Sequence, residues 1–480
     1  MKANRTMQQR LFLAFLLMAT MAAQTMAEDW ALKIAGVQVT DDNHSWITGT
    51  GISTSGVVAC TYDGNADMYI LKFSADATIT YDWTCIEVGE DKNLTIDLCG
   101  RHVTLKSNND SGINGMSANK VRIVDSGVKF SSVFEGDVSC GLLDIDEKEA
   151  MKVIGLEIGA YTCIQLKSTK HGLEYYGNAI INHHANIKIQ SDGTLFWGSG
   201  SLTYVDQAGN SHSDLSEVSD FYSNYSIEKG VAYDGDNIAK NGTLLIGHKY
   251  CTIAGKDVVS TDFWPASFGM VTGSNIKGTV MVTTNTIYLT NATITATTDE
   301  APVGIELTQP FNIVASGANT ITAKKQGILT WEELTVTSGA TPGNLTVEST
   351  DHLAINGPFT LDTRDHSALT LKPNTDGTYC TLRLKGSTGA INCMRAIDFG
   401  ELSIIPSSVE IYKDNYSSLR KGSSSVTDWV EIRKPVEYFT IGSTTVSELT
   451  DLSEPITGEG ISGTVTYDAD SKTLTLKDVG

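Results

Sequence analysis

Apolar side chains recur at every second position of this chain, in short runs. One clear run holds Val465 and Tyr467, then Leu474 and Leu476 beyond the polar turn Asp468-Ala469-Asp470-Ser471. Period-2 alternation on both sides of a short turn predicts a β-hairpin. Thr293-Ile294-Thr295, Asn312-Ile313-Val314, Thr320-Ile321-Thr322, Leu334-Thr335-Val336 and Leu345-Thr346-Val347 read as further short strands, separated by Gly, Asn, Ser and Asp. Past the N-terminal segment, no stretch of about 12 residues shows the 3.6-residue period and caps of a helix. The pattern predicts an all-β protein.

The strands repeat on two scales. On the longer scale, three segments share a lead-in motif: KIAGVQV with ITGTGIS (33–39, 47–53), TIAGKDV with VTGSNIKGTV (252–258, 271–280), and FTIGSTTV with ITGEGISGTV (439–446, 456–465). Their anchors Ile47, Val271 and Ile456 lie 224 and 185 residues apart, so the unit is a module rather than a small solenoid repeat. On the shorter scale, Gly304-Ile305 and Gly327-Ile328 are 23 residues apart. Like positions at that interval predict circuits that stack on themselves, each strand pairing with its equivalent one circuit on. The expected fold is a right-handed parallel β-helix, or β-solenoid, with a small β-hairpin lead-in before each module. The expected organisation is a signal peptide (1–27), a lead-in and module (28–240) with a polar excursion over 198–240, a second lead-in and module (241–436), and a third lead-in (437–480). The third lead-in stops where the first two run on into Ala77-Thr78-Ile79 and Ala292-Thr293-Ile294, which reads as a truncation.

The lead-in followed by ATITA, GI, LTI, NTIT, GI and LTVTS resembles repeated modules of secreted surface proteins of commensal bacteria. Their bodies are similar to the right-handed parallel β-helix of the pectate-lyase-like superfamily, and some are carbohydrate-binding modules. The resemblance covers nearly all of the chain beyond the N-terminal segment. It implies the fold and a surface role. It implies no particular activity, because this fold serves lyases, hydrolases, adhesins and passive stalks alike.

Composition places the protein. Lys2, Arg5 and Arg10 precede an apolar run from Leu11 to Ala23, too short to span a bilayer. Thr25-Met26-Ala27 offers small residues for cleavage before Glu28. An exported chain, secreted or held at the cell surface, with no membrane span after cleavage, is expected. Losing those three cations takes the formal net charge from −21 to −24. With 35 basic against 56 acidic residues, a nucleic-acid partner is excluded by repulsion from the phosphate backbone.

Candidate chemistry is sparse. Asp63-Gly64-Asn65-Ala66-Asp67 and Asp468-Ala469-Asp470 look like fragments of a calcium loop, but both sit at the lead-in turn, where Asp, Asn and Gly belong anyway. The second lead-in lacks those acids, so no metal site is expected. His183-His184 reads as a surface turn. No catalytic residues and no cofactor emerge from the motifs. Eight cysteines lie in the exported part. Cys140 and Cys163 are 23 residues apart, Cys60 and Cys85 25, so each pair would stack one circuit apart, within reach of a disulfide. Small buried hydrophobes fit these positions equally well. Tyr175, Tyr176, Trp197 and Tyr204 fall in a polar stretch, and Trp264 in a lengthened lead-in loop. Aromatic faces stack on the CH faces of sugars, which makes these five the glycan-binding candidates. The competing reading is that the stretch caps the end of the module.

The leading expectation is a non-catalytic surface protein for adhesion or glycan binding, with a polysaccharide or host glycan as partner. A polysaccharide lyase or glycoside hydrolase on the same fold, and a structural stalk, are the alternatives. Clustered Asp with Lys or Arg on adjoining strands would favour the enzyme, an exposed aromatic row the binder, and plain Thr and Asn faces the stalk.

Overall fold

A computed structural model describes residues 29–53, 57–89, 91–128, 140–263, 269–357, 369–393, 397–414 and 416–478. The expected signal peptide lies outside the described residues. The chain is all-β, with parallel and mixed sheets; the helical turns among the described residues are two short 3-10 segments, Leu215–Glu217 and Ser260–Phe263. No helix among the described residues is long and apolar enough to cross a membrane. The chain forms two compact units. The first comprises residues 1–248 and 260–267, the second 249–259 and 268–480.

In the first unit the chain visits three parallel ladders in a fixed order. One ladder holds Met68–Phe73, Asn93–Asp97, Lys120–Val124, Leu156–Ile158, Ala179–Asn182 and Leu202–Val205. The next holds Ala77–Tyr81, His102–Ser107 and the first halves of Leu142–Val153, Cys163–Tyr175 and Asn186–Gly198. The last holds Ile86–Val88, Ser111–Gly115 and the second halves of those same three long strands. Parallel register places equivalent residues in columns: Val103, Leu143, Ile164 and Ile187 stack in order, and so do Leu105, Ile145, Leu166 and Ile189. All eight are buried. β-branched side chains suit such columns because the pleat holds their single favoured rotamer.

The polar excursion begins later than the sequence suggests. Leu202–Val205 still pairs in parallel with Ala179–Asn182. Beyond it the pairing turns antiparallel. Residues of Lys240–Ile253 run antiparallel to Asn186–Gly198, with Gln190 opposite Thr243 and Ile187 opposite Ile246. Phe221–Ser223 adds antiparallel to the same strand. This is a cap, because an antiparallel strand takes up the hydrogen bonds of the last parallel one.

The second unit repeats the plan. Thr286–Ala296, Phe311–Ala323 and Leu334–Ser349 pair in parallel, and the third of these also pairs with Leu369–Lys372 and Thr381–Gly386. Ile305, Ile328, Ile355 and Ile391 form a column of a second ladder. Val430–Arg433 then runs antiparallel to Thr381–Gly386. Asn319, 2% exposed, turns a corner: its side chain accepts from the Ala292 N–H and donates to the carbonyls of Ser316, Gly317 and Asn344.

All three lead-ins share one hairpin. Asp29–Ile34 pairs with Val37–Thr40 across Ala35 and Gly36, at φ +49° and +73°. The end of Lys240–Ile253 pairs with Lys256–Val259 across Ala254 and Gly255, at +49° and +79°. Positive φ at both central residues is the turn that matches the strands' twist. The Ala35 N–H donates to the Cys85 carbonyl and the Ala254 N–H to the Gly304 carbonyl, each at 2.8 Å. Glu437–Ile441 and Thr444–Ser447 form the third hairpin, whose turn has positive φ at Gly442 (+58°) but not at Ser443, over a small core of Val446, Ile456 and Val465.

Ile164 sits mid-column, between Leu143 and Ile187. Ile164→Ala is expected to lower the first unit's stability by about 2–5 kcal/mol, the cost of an unfilled core site, read as a fall in the denaturant midpoint by circular dichroism. An unchanged midpoint would mean the column does not hold the unit together.

Candidate functional site

Alternation along the long strands divides the aromatic candidates into two sets. Tyr175 lies in the interior column Val153–Tyr175–Gly198 and has no exposed surface. A side chain at Gly198 or Gly230 would strike the Tyr175 ring, so these glycines make its room. Its ring packs on Phe196 at 5.7 Å, and burial pushes its phenol up to about 12. Tyr204 follows Ile158 and Ile181 in another interior column and is 2% exposed. Its hydroxyl donates to Asp220 at 3.2 Å. Neither ring can meet a sugar: the expectation for Tyr175 and Tyr204 is corrected, because both point into the core. Trp264 lies outside the described residues.

Tyr176 and Trp197 point outward. Their rings meet edge to face at 5.5 Å. Trp197 sits in register with Glu174, and Glu174 with Lys152, so three polar or aromatic side chains line one outer column. The Tyr176 hydroxyl donates to Glu174 Oε1 at 2.6 Å, and that bond raises the phenol's pKa. Lys152 Nζ lies 3.5 Å from Glu174 Oε2 and 5.8 Å from the Tyr176 ring centre. The result is a fixed aromatic step with a charged pair beside it.

The cysteines are placed differently from their spacing. No disulfide joins any of the eight. The register partner of Cys163 is Leu142, two residues beyond Cys140, yet the Cys140 and Cys163 sulfurs lie 2.9 Å apart. Cys60 and Cys85 do not share a column: Cys60 stands opposite Leu71 in an antiparallel hairpin, and Cys85 precedes the ladder strand Ile86–Val88. Burial pushes both thiols up to about 12.

The acidic turns close on themselves. Asp63 accepts the N–H groups of Asn65 and Ala66, and Asp468 those of Asp470 and Ser471, the local bonds of an Asx turn. Among the described residues no three His, Cys, Asp or Glu side chains gather as a metal site.

Sequence reasoning missed two buried polar sites. His184 is not a surface residue: it is fully buried, stacked on Tyr161 at 4.7 Å and 3.8 Å from the ring of buried His248. Burial, then the neighbouring histidines, hold its pKa well below the usual range. His248 Nδ1 lies 3.4 Å from both Asp220 Oδ2 and the Tyr204 hydroxyl, so this group ties the last parallel rung to the cap. Glu147 occupies a corner column above Ser168 and Ser191, whose hydroxyls bond at 2.8 Å. It is 4% exposed, and its Oε2 has no hydrogen-bond partner among the described residues. Burial pushes its carboxyl up to about 8, against the pull of Ser107. The apolar-polar pattern hides both sites because it records how polar a residue is, not where the turn carries it.

Glu147 therefore takes up a proton on folding between its ordinary value near 4.5 and about 8. The first unit loses stability as pH rises through that window. Glu147→Gln is expected to remove the slope and to gain about 1–3 kcal/mol at pH 8. Urea midpoints at pH 5 and pH 8 check this; a slope that survives the substitution assigns it to another group.

Comparison with known proteins finds no matching family model, curated protein or solved structure.

Proposed function

We propose that this chain is an exported, surface-presented protein whose parallel ladders close into right-handed β-helix modules that bind glycans on their outer faces. The fixed order in which the chain visits three parallel ladders supports the closed helix. The near-universal right hand of parallel crossovers supports its sense. The repeated lead-in, the basic and apolar N-terminal segment and the resemblance to bacterial surface modules support export and display.

One observation carries the binding reading: Tyr176 and Trp197 form an outward aromatic step beside Lys152 and Glu174. An apolar ring face next to paired hydrogen-bonding groups is what a sugar's CH face and hydroxyls require. Binding fits better than catalysis. The carboxyl pushed furthest from its ordinary value, Glu147, is sealed in the interior, while Glu174 at the step is engaged by Lys152 and Tyr176.

A glycan array with the full chain is expected to show binding that Trp197→Ala or Tyr176→Ala weakens about tenfold or more, the loss of one or two anchoring contacts. Equal binding by the variants would remove the step from the site. Release of an ultraviolet-absorbing unsaturated product from uronate polysaccharides would replace the binding reading with a lyase.

Export would also oxidise Cys140 and Cys163. Each thiol loses its hydrogen, and an oxidised dithiol partner takes the two electrons and two protons. A mass about 2 Da lower in the exported than in the cytosol-expressed protein, with the link mapped to this pair by peptide analysis, is expected from the loss of two hydrogens. Free thiols at both positions after export would refute the bond.

A further inference from the structure

The first lead-in carries a groove of different chemistry. Its wall begins at Trp46, which is 63% exposed, the highest figure for a large apolar side chain among the described residues. The reason is local. Ile47 next to it is fully buried and bridges to Val58, so alternation turns Trp46 out to solvent. The groove has a volume of about 530 Å³ and an apolar floor of Val57, Ala59 and Phe73. That volume falls within the roughly 300–1,000 Å³ of small-molecule sites.

Among the described residues, its charged lining consists of Lys72 and Arg101. Lys72 projects from Met68–Phe73 opposite Ala59. Arg101 follows Cys99 and Gly100, whose positive φ of +52° and +76° turns the chain sharply before it. No ion pair among the described residues engages either cation. The register neighbour of Lys72 is Asp97, and that carboxylate is committed elsewhere. It accepts from the Ser126 N–H at 2.9 Å, the Ser126 hydroxyl at 2.8 Å and the Cys99 N–H at 3.1 Å. Two uncommitted cations and no acid, in a chain of net charge −21, make a local reversal of sign.

We infer that this groove binds an anionic saccharide, its ring on Trp46 and its carboxylate or sulfate between Lys72 and Arg101. The indole face takes the sugar's apolar CH surface. The cations supply charge-assisted hydrogen bonds, which a neutral sugar cannot use. Ser45 and Ser74 at the rim offer hydroxyls to the sugar's own. The site goes beyond the Tyr176–Trp197 step, shares no residue with it, and stands or falls separately.

The test is calorimetric titration of the full chain with three probes: an oligogalacturonate, a sulfated oligosaccharide and a neutral maltooligosaccharide. Binding of one or both anionic probes is expected, with affinity at least about tenfold above the neutral one and severalfold weaker at about 0.5 M than at about 0.05 M salt. Which anionic probe binds distinguishes carboxylate from sulfate. Trp46→Ala, and the double variant Lys72→Gln with Arg101→Gln, are each expected to lose about tenfold or more. Lys72→Arg with Arg101→Lys should retain binding, and Trp197→Ala should leave it unchanged. Thermal melts show whether each variant stays folded. Neutral and anionic probes binding alike, a folded double variant binding as well as the parent, or no binding of any probe overturns the inference. Loss of binding in Trp197→Ala alone would assign the anionic sugar to the other surface.

Discussion

Each parallel strand must give its N–H and carbonyl groups to the ladder strand before it and the ladder strand after it. That requirement governs the molecule. Parallel register within each ladder sets equivalent residues opposite one another, so equivalent side chains fall into columns. Inside, the columns demand Ile, Val and Leu. At corners they demand groups able to satisfy the turning backbone, as Asn319 does for Ala292, Ser316, Gly317 and Asn344. Outside, the same register lines up Lys152, Glu174 and Trp197, so the surface inherits its order from the core.

Much of this order is legible in the sequence. The Gly-Ile pair at 304–305 and 327–328 reappears as adjacent rungs, with Ile305 opposite Ile328. The repeated Ile-Ala-Gly motif marks the two-residue turn, because Gly36 and Gly255 take the left-handed conformation that glycine tolerates best. The aromatic candidates were less legible, since polarity of neighbourhood says little about direction. The informative signal was the 23-residue offset itself: Tyr175 meets Gly198, a residue small enough to lie beneath a buried ring, while Trp197 meets charged Glu174. Trp46 was signalled only by its neighbour, the apolar anchor Ile47 one position away.

The positions that escaped the pattern are the polar ones in the interior. His184 and His248 join the last rung to the cap through Asp220 and Tyr204, and Glu147 stands in a column of serines. Glu147 follows Leu143 and Ile145 in the inward alternation, but a charged side chain at that position does not read as core. Their cost is electrostatic, and it falls on the stability of the unit rather than on its recognition of anything outside.

The change from parallel to antiparallel pairing at Thr243 and at Ile432 has a consequence for the life of the molecule in bulk. An unfinished parallel edge is a template on which a second, identical edge can add, and a stack that accepts one neighbour accepts another without limit. The reversed strand takes up the hydrogen bonds of that edge, so an identical edge cannot continue the parallel register there. A fold built from repetition therefore carries its own stop, which keeps growth by stacking from becoming a filament.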